Sequence, residues 1–209
     1  MARYIGLMIL TFALTLQASA QRYLFSLHGK IVEDQGASAY SPDFGAYQYA
    51  DICNEFRKEK FTVFMEYRKP NTDVKEYAHK IAGQVDSLLR LGVKPGKITI
   101  LGASKGALIS MYISSYLKNP GINFIFLSSC NDYVMNDLKE INFCGNILSI
   151  YEKSDPGNHS CLSIKNRSTL QVPHFKEVEL NTGLHHGYLY KPLAEWIKPA
   201  VKWANENYE

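Results

Sequence analysis

The chain lacks the features that would mark several common functions. Its 23 lysines and arginines nearly balance 20 aspartates and glutamates, leaving a formal net charge of +3 over 209 residues. That is too slight a cationic excess to grip nucleic acid, and the basic residues are dispersed. Arg57, Lys58 and Lys60 are broken by Glu59 and read as a solvated helix end. The four cysteines, Cys53, Cys130, Cys144 and Cys161, form neither a C-x-x-C pair nor a Cys/His spacing of the kind that holds a metal. No internal repeat or low-complexity linker divides the chain. After residue 16, no apolar run approaches the roughly 20 residues of a membrane-spanning helix.

The amino-terminal 20 residues are different in kind. Arg3 gives a short positive region, Ile5 to Leu16 is continuously apolar, and Ala18-Ser19-Ala20 has the small-x-small form of a cleavage site. Residues 1–20 therefore read as a signal peptide, and Gln21 as the first mature residue. Residues 21–209 suffice for one domain with a substantial core. The expected location is secreted or periplasmic, with no membrane span after cleavage, and disulfides become permissible there. Cys53 stands at helical intervals from Tyr49, Ala50 and Phe56 and reads as a buried free thiol.

Apolar periodicity alternates between two types. Strand-like runs cover 23–27, 61–67, 98–101, 122–127, 147–151 and 175–180. Between 73 and 91, Val74, Tyr77, Ala78, Ile81, Ala82, Val85, Leu88 and Leu89 form a helical stripe, with Asp73 and Glu76 as a capping pair and Gly92 as the stop. A second helix follows Ser104, with Leu108, Met111 and Tyr112 on one face. A last helix starts near Pro192 and meets Pro199, which should bend it. Such alternation predicts an α/β fold: a mainly parallel sheet of about six strands with helices on both faces. Ligands of such sheets bind beyond the carboxyl ends of the strands, where the long loops 28–45, 128–146 and 152–173 lie. In such a sheet, Cys130 and Cys161 both follow strands and share one edge, whereas Cys144 precedes its strand. The expected disulfide is Cys130–Cys161.

The stretch Gly102-Ala103-Ser104-Lys105-Gly106 joins a predicted strand to a predicted helix. The G-x-S-x-G spacing alone is common, but in this context it fits a turn that holds a nucleophilic serine in a strained conformation between glycines. The bland reading is that Ser104 caps the helix. A serine nucleophile needs a base and an orienting acid, and in this arrangement they follow in the order acid, then histidine, on loops after later strands. Asp155 follows the run 147–151 and is preferred to Asp132. His186, beside the small Gly187 and close to the last helix, is preferred to His185. An oxyanion hole requires two backbone N–H groups. One is assigned to Lys105, the other to Lys30 with Gly29 as the alternative, after the His28-Gly29 turn. His28 itself reads as a satisfied structural histidine. Glu33 lies at an H-G-x-x-x-E spacing and either braces that loop through its backbone donors or is solvated.

These residues carry a resemblance. Leu27-His28-Gly29, Gly102 to Gly106, Ser154-Asp155 and His186-Gly187 together make the chain similar to α/β-hydrolase-fold serine hydrolases, across nearly all of 21–209. "HGKIVEDQG" and "LGASKG" resemble a group of small bacterial exported hydrolases. The resemblance implies ester or related acyl chemistry, and with no strands before Tyr23 it implies a sheet smaller than the usual eight. The expected activity is cleavage of a carboxylic ester, a small-molecule acyl substrate, with no metal or organic cofactor. A thioesterase or acyltransferase would use the same groups, and a non-catalytic binding protein could use the same scaffold. Residues 128–146 are too few for a large helical lid, which favours small or extended surface substrates over long-chain lipids. Tyr40, Phe44, Tyr47 and Tyr133 either line an apolar pocket or belong to the core.

Overall fold

The computed structural model describes residues 21–157 and 159–209. The predicted signal peptide, 1–20, lies outside the described residues. The described residues form eight strands: β1 (Arg22–Leu27), β2 (Tyr40–Ser41), β3 (Gly45–Ala46), β4 (Phe61–Met65), β5 (Ile98–Ala103), β6 (Asn123–Leu127), β7 (Asn146–Glu152) and β8 (Phe175–Leu180). Six of them form one sheet in the order β4-β1-β5-β6-β7-β8, with every pairing parallel. They are the six predicted runs. β2 and β3 form a separate antiparallel hairpin, too short for alternation to reveal.

The helices are α1 (Lys30–Gln35), α2 (Tyr49–Lys58), α3 (Val74–Arg90), α4 (Lys105–Leu117), α5 (Asp132–Asn136), α6 (Leu162–Arg167) and α7 (Ala194–Ala204). The loops expected to be irregular therefore contain α1, α5 and α6, each too short to display a 3.6-residue period. Helix α3 buries the predicted stripe, and Asp73 Oδ1 caps it by accepting from the N–H groups of Lys75 (2.8 Å) and Glu76 (2.9 Å). Helix α4 departs from expectation, because it is buried on nearly every side rather than along one face. It crosses the middle of the sheet beside α3. Helix α7 starts at Ala194, later than Pro192 suggested, because His185–Tyr190 form a 3₁₀ segment first, and it continues through Pro199.

Alternation along the strands divides the interior into two cores. Phe124 and Phe126 of β6 face α3 and α4, with Ile100 and Ile113. Ile125 and Leu127 face the other side, with Phe56 of α2 and Trp196 and Trp203 of α7. Because β1 connects outward to β4 in one direction and pairs with β5 in the other, the strand order reverses at β1 and β5. A crevice opens at such a reversal, outside the carboxyl ends.

Cys130 and Cys161 form a disulfide with Cα atoms 5.3 Å apart, while Cys53 and Cys144 are buried free thiols. The bridge ties the end of the β6 segment to the loop after β7. Its loop of 31 residues corresponds to about 3 to 4 kcal/mol in the chain-entropy account. Non-reducing peptide mapping should recover Cys130 linked to Cys161, and the Cys130→Ser/Cys161→Ser double variant should melt roughly 10 °C lower. A Cys144-linked peptide would contradict this pairing.

Candidate active site

Strand β5 ends at Ala103 and the chain turns abruptly at Ser104, whose φ of 53° and ψ of −118° are costly for a residue bearing a Cβ. The flanking glycines explain how the turn is tolerated. A Cβ on Gly106 would collide with the Leu27 carbonyl, and one on Gly102 with the Gly106 carbonyl and Ser110 Oγ. Only hydrogen fits at either position. Ser104 makes no side-chain cap to α4, so its hydroxyl is not used as a helix cap, and its N–H donates to Leu127 O at 2.9 Å.

Asp155 follows β7 and is buried. Its Oδ2 accepts from His186 Nδ1 at 2.7 Å and from Ser128 Oγ at 3.0 Å. With Nδ1 donating to the carboxylate, His186 Nε2 is left as the basic nitrogen. Ser128, itself at a positive φ of 46°, also lies 3.0 Å from Tyr188 OH, which donates to Ile150 O. The rival residues lie elsewhere. His185 donates its N–H to Ser154 Oγ and turns its Nδ1 to Ser154 O. Asp132 has a side chain 79% exposed, with His159 3.8 Å away. At Gly187 a Cβ would stand 2.7 Å from the Phe44 ring. Among the described residues no hydrogen bond joins Ser104 Oγ to His186.

The loop after β1 meets the Ser104 turn directly, because Leu27 pairs with Gly102 and a Cβ on Gly29 would stand 3.5 Å from Ser104 Cβ. Lys30 and Lys105 each open a helix, where backbone N–H groups have no intrahelical partner. His28 is buried, and its two ring nitrogens have fixed roles: Nδ1 donates to Gly29 O (2.8 Å) and Nε2 accepts from the Arg68 N–H (3.0 Å). Burial, reinforced by the Arg68 charge, lowers its pKa to about 4, so the ring is neutral. Glu33 is not solvated, and it meets the loop through side-chain cations and through its own N–H, which donates to Gly29 O at 3.4 Å. It is buried and paired with cations, accepting from Arg68 Nε at 3.1 Å and from Lys105 Nζ at 2.6 Å. Of the four aromatics, Tyr47 is core, Phe44 packs on Tyr190 and Gly187, and Tyr40 and Tyr133 are exposed.

No family model and no curated protein matches the chain. Solved structures do. SOBER1 of Arabidopsis thaliana is 14% identical with a TM-score of 0.58, over 91% of this chain and 100% of its own. A lipase-esterase related protein from Clostridium acetobutylicum is 14% identical with a TM-score of 0.56, over 92% and 96% of the two chains. Est1E from Butyrivibrio proteoclasticus, solved with ferulic acid bound, is 12% identical with a TM-score of 0.57, over 90% and 89%. At such identities the likeness is one of fold. The chain has the α/β-hydrolase fold.

One residue of this edge escaped the sequence reading. Glu152, fully buried at the end of β7, accepts from the N–H and Oγ of Ser154 (3.2 and 3.0 Å) and from the N–H and Oγ1 of Thr182 (2.9 and 2.7 Å). It thus joins the loop bearing Asp155 to the loop bearing His186. Read in sequence, it is one more charge at the end of an apolar run. Burial alone would raise its pKa, but the hydrogen bonds from Thr182 and Ser154 outweigh burial and bring it down to about 2. A carboxylate depressed in this way contributes stability that is complete above pH 4.5 and lost as pH falls towards 2. Glu152→Gln should lower the melting temperature at pH 7 by roughly 5 to 10 °C and flatten its decline between pH 4.5 and 2. Calorimetry across that range checks both effects.

Proposed function

We propose that the chain is a serine hydrolase that cleaves carboxylic esters through an acyl-enzyme. The observation that carries this reading is the 2.7 Å Asp155–His186 pair at the same sheet edge as a serine strained between two obligatory glycines. Ser104 Oγ attacks the ester carbonyl while its proton passes to His186 Nε2. The N–H groups of Lys105 and Lys30 face the developing oxyanion, with Gly29 N–H the alternative second donor. Collapse of the tetrahedral species breaks the C–O bond, and the departing alcohol takes the proton from His186. Water then attacks the acyl-serine, giving its proton to His186, and the acid leaves as Ser104 recovers its hydrogen. Asp155 orients the imidazole and balances its transient charge, and no metal or organic cofactor enters the sequence.

The substrate class follows from what surrounds the serine. Helix α5 spans only Asp132–Asn136, and a segment of that size makes no lid over a long acyl chain. Small or surface-presented esters suit such a site, and the fold neighbour named as lipase-esterase related supports ester chemistry in general. The signal-like residues 1–20 and the Cys130–Cys161 bridge support export to an oxidising compartment.

A fluorophosphonate should label the mature chain at Ser104, and Ser104→Ala should lose both the label and turnover of p-nitrophenyl acetate, by roughly 10⁴-fold or more. His186→Ala should fall on a similar scale, while His185→Ala should lose less than about tenfold. A folded protein that takes no label would instead be a binding module on this scaffold, and the reverse order of the two histidine variants would move the base to His185.

A further inference from the structure

The mechanism leaves Glu33, Arg68 and the Lys105 side chain unused, yet they form a buried ionic cluster directly behind the proposed oxyanion hole. The Glu33 and Arg68 side chains have no solvent exposure, and that of Lys105 has 18%. Glu33 Oε1 accepts from Lys105 Nζ (2.6 Å) and Oε2 from Arg68 Nε (3.1 Å). Lys105 Nζ also donates to Thr72 O (2.7 Å), and Arg68 Nη2 donates to His28 O. We propose that this cluster positions both halves of the oxyanion hole, with Glu33 as the common anchor of the two donor segments.

In a trans peptide the N–H points opposite the C=O, so fixing a carbonyl aims the N–H of the next residue. The His28 carbonyl, held by Arg68, aims Gly29 N–H. The Gly29 carbonyl, held by His28 Nδ1 and by the Glu33 N–H at 3.4 Å, aims Lys30 N–H. On the other side, the ammonium of Lys105 is bound to the same carboxylate, which fixes the residue whose own N–H follows the nucleophile. The two donor segments lie 75 residues apart in sequence and are joined here by one buried anion. Transition-state stabilisation depends on donors already in place, and a misplacement of about 1 Å costs on the order of 100-fold. Glu33, Arg68 and the Lys105 ammonium are thus positioning groups that act through the backbone.

This inference rests on the hydrolase reading, and its test separates the two. Wild type, Glu33→Gln, Lys105→Met and Lys105→Arg are compared for kcat and KM on p-nitrophenyl acetate, for inhibition by phenylboronic acid, which forms a tetrahedral adduct on a serine nucleophile, and for labelling by fluorophosphonate. Glu33→Gln and Lys105→Met should each lose roughly 10- to 100-fold in kcat with KM within about twofold, and should bind the boronate more weakly by a comparable factor. Lys105→Arg, which keeps the cation, should recover most of both. A merely structural cluster would change melting temperature and leave kcat and boronate affinity within twofold, and that result in the folded variants overturns the proposal. Should Glu33→Gln fail to fold, Lys105→Met decides, since its side chain reaches the surface. A folded wild type that neither turns over ester nor labels at Ser104 overturns the hydrolase reading and this inference together. An active, labelled wild type with unaffected variants overturns the positioning role alone.

Discussion

The first turn of α4 passes so close to the end of β1 that no methyl group fits between Gly106 and the Leu27 carbonyl. Much of the remaining site depends on that approach. It forces Ser104 into a positive φ, presses the Gly29 segment against the serine, and places the Lys105 backbone beside the loop that opens α1. The strain at Ser104 is sustained because the surroundings over-determine it, through the Leu27–Gly102 register, the Ser104 N–H bond to β6 and the packing of α4 on nearly every side. A fold less tightly closed at this point would let the serine relax into an ordinary cap.

Two buried carboxylates divide the support of this edge between them. Glu33 gathers the segments after β1 and β5 through cations, whereas Glu152 gathers those after β7 and β8 through neutral donors. The difference follows from their neighbours. Glu33 lies opposite Arg68 and Lys105, so its charge is balanced, while Glu152 is held by N–H and O–H dipoles. Removing a partner from the first would strand a buried charge, a heavier penalty than losing one neutral hydrogen bond. The halves of the site are therefore held by different chemistry.

Much of this architecture was legible in the residues. The six runs of apolar and β-branched residues became six parallel strands, and Gly102 and Gly106 announced the turn because only a crowded crossing needs both. The order Asp155 then His186 was readable as placement after successive strands. What could not be read was what lies opposite what. Glu33 and Arg68 are 35 residues apart and carry no periodic signature. Glu152 resembles any charge closing a strand until Thr182 is seen beside it. Helices of five or six residues, such as α1 and α5, are decided by tertiary contacts and not by local pattern, and α4 showed one apolar face in sequence while packing on nearly all of them.

The neutral imidazole of His28 has a consequence for how the protein meets acid. An exposed histidine in an unfolded chain takes a proton near pH 6.5, but the folded ring resists until about pH 4 because it is buried beside Arg68 with both nitrogens committed. Its contribution to stability is therefore complete above pH 6.5 and drains away as pH falls towards 4. Mild acidification thus acts on this residue by favouring the unfolded chain, and the loop it supports keeps its shape in every molecule that is still folded.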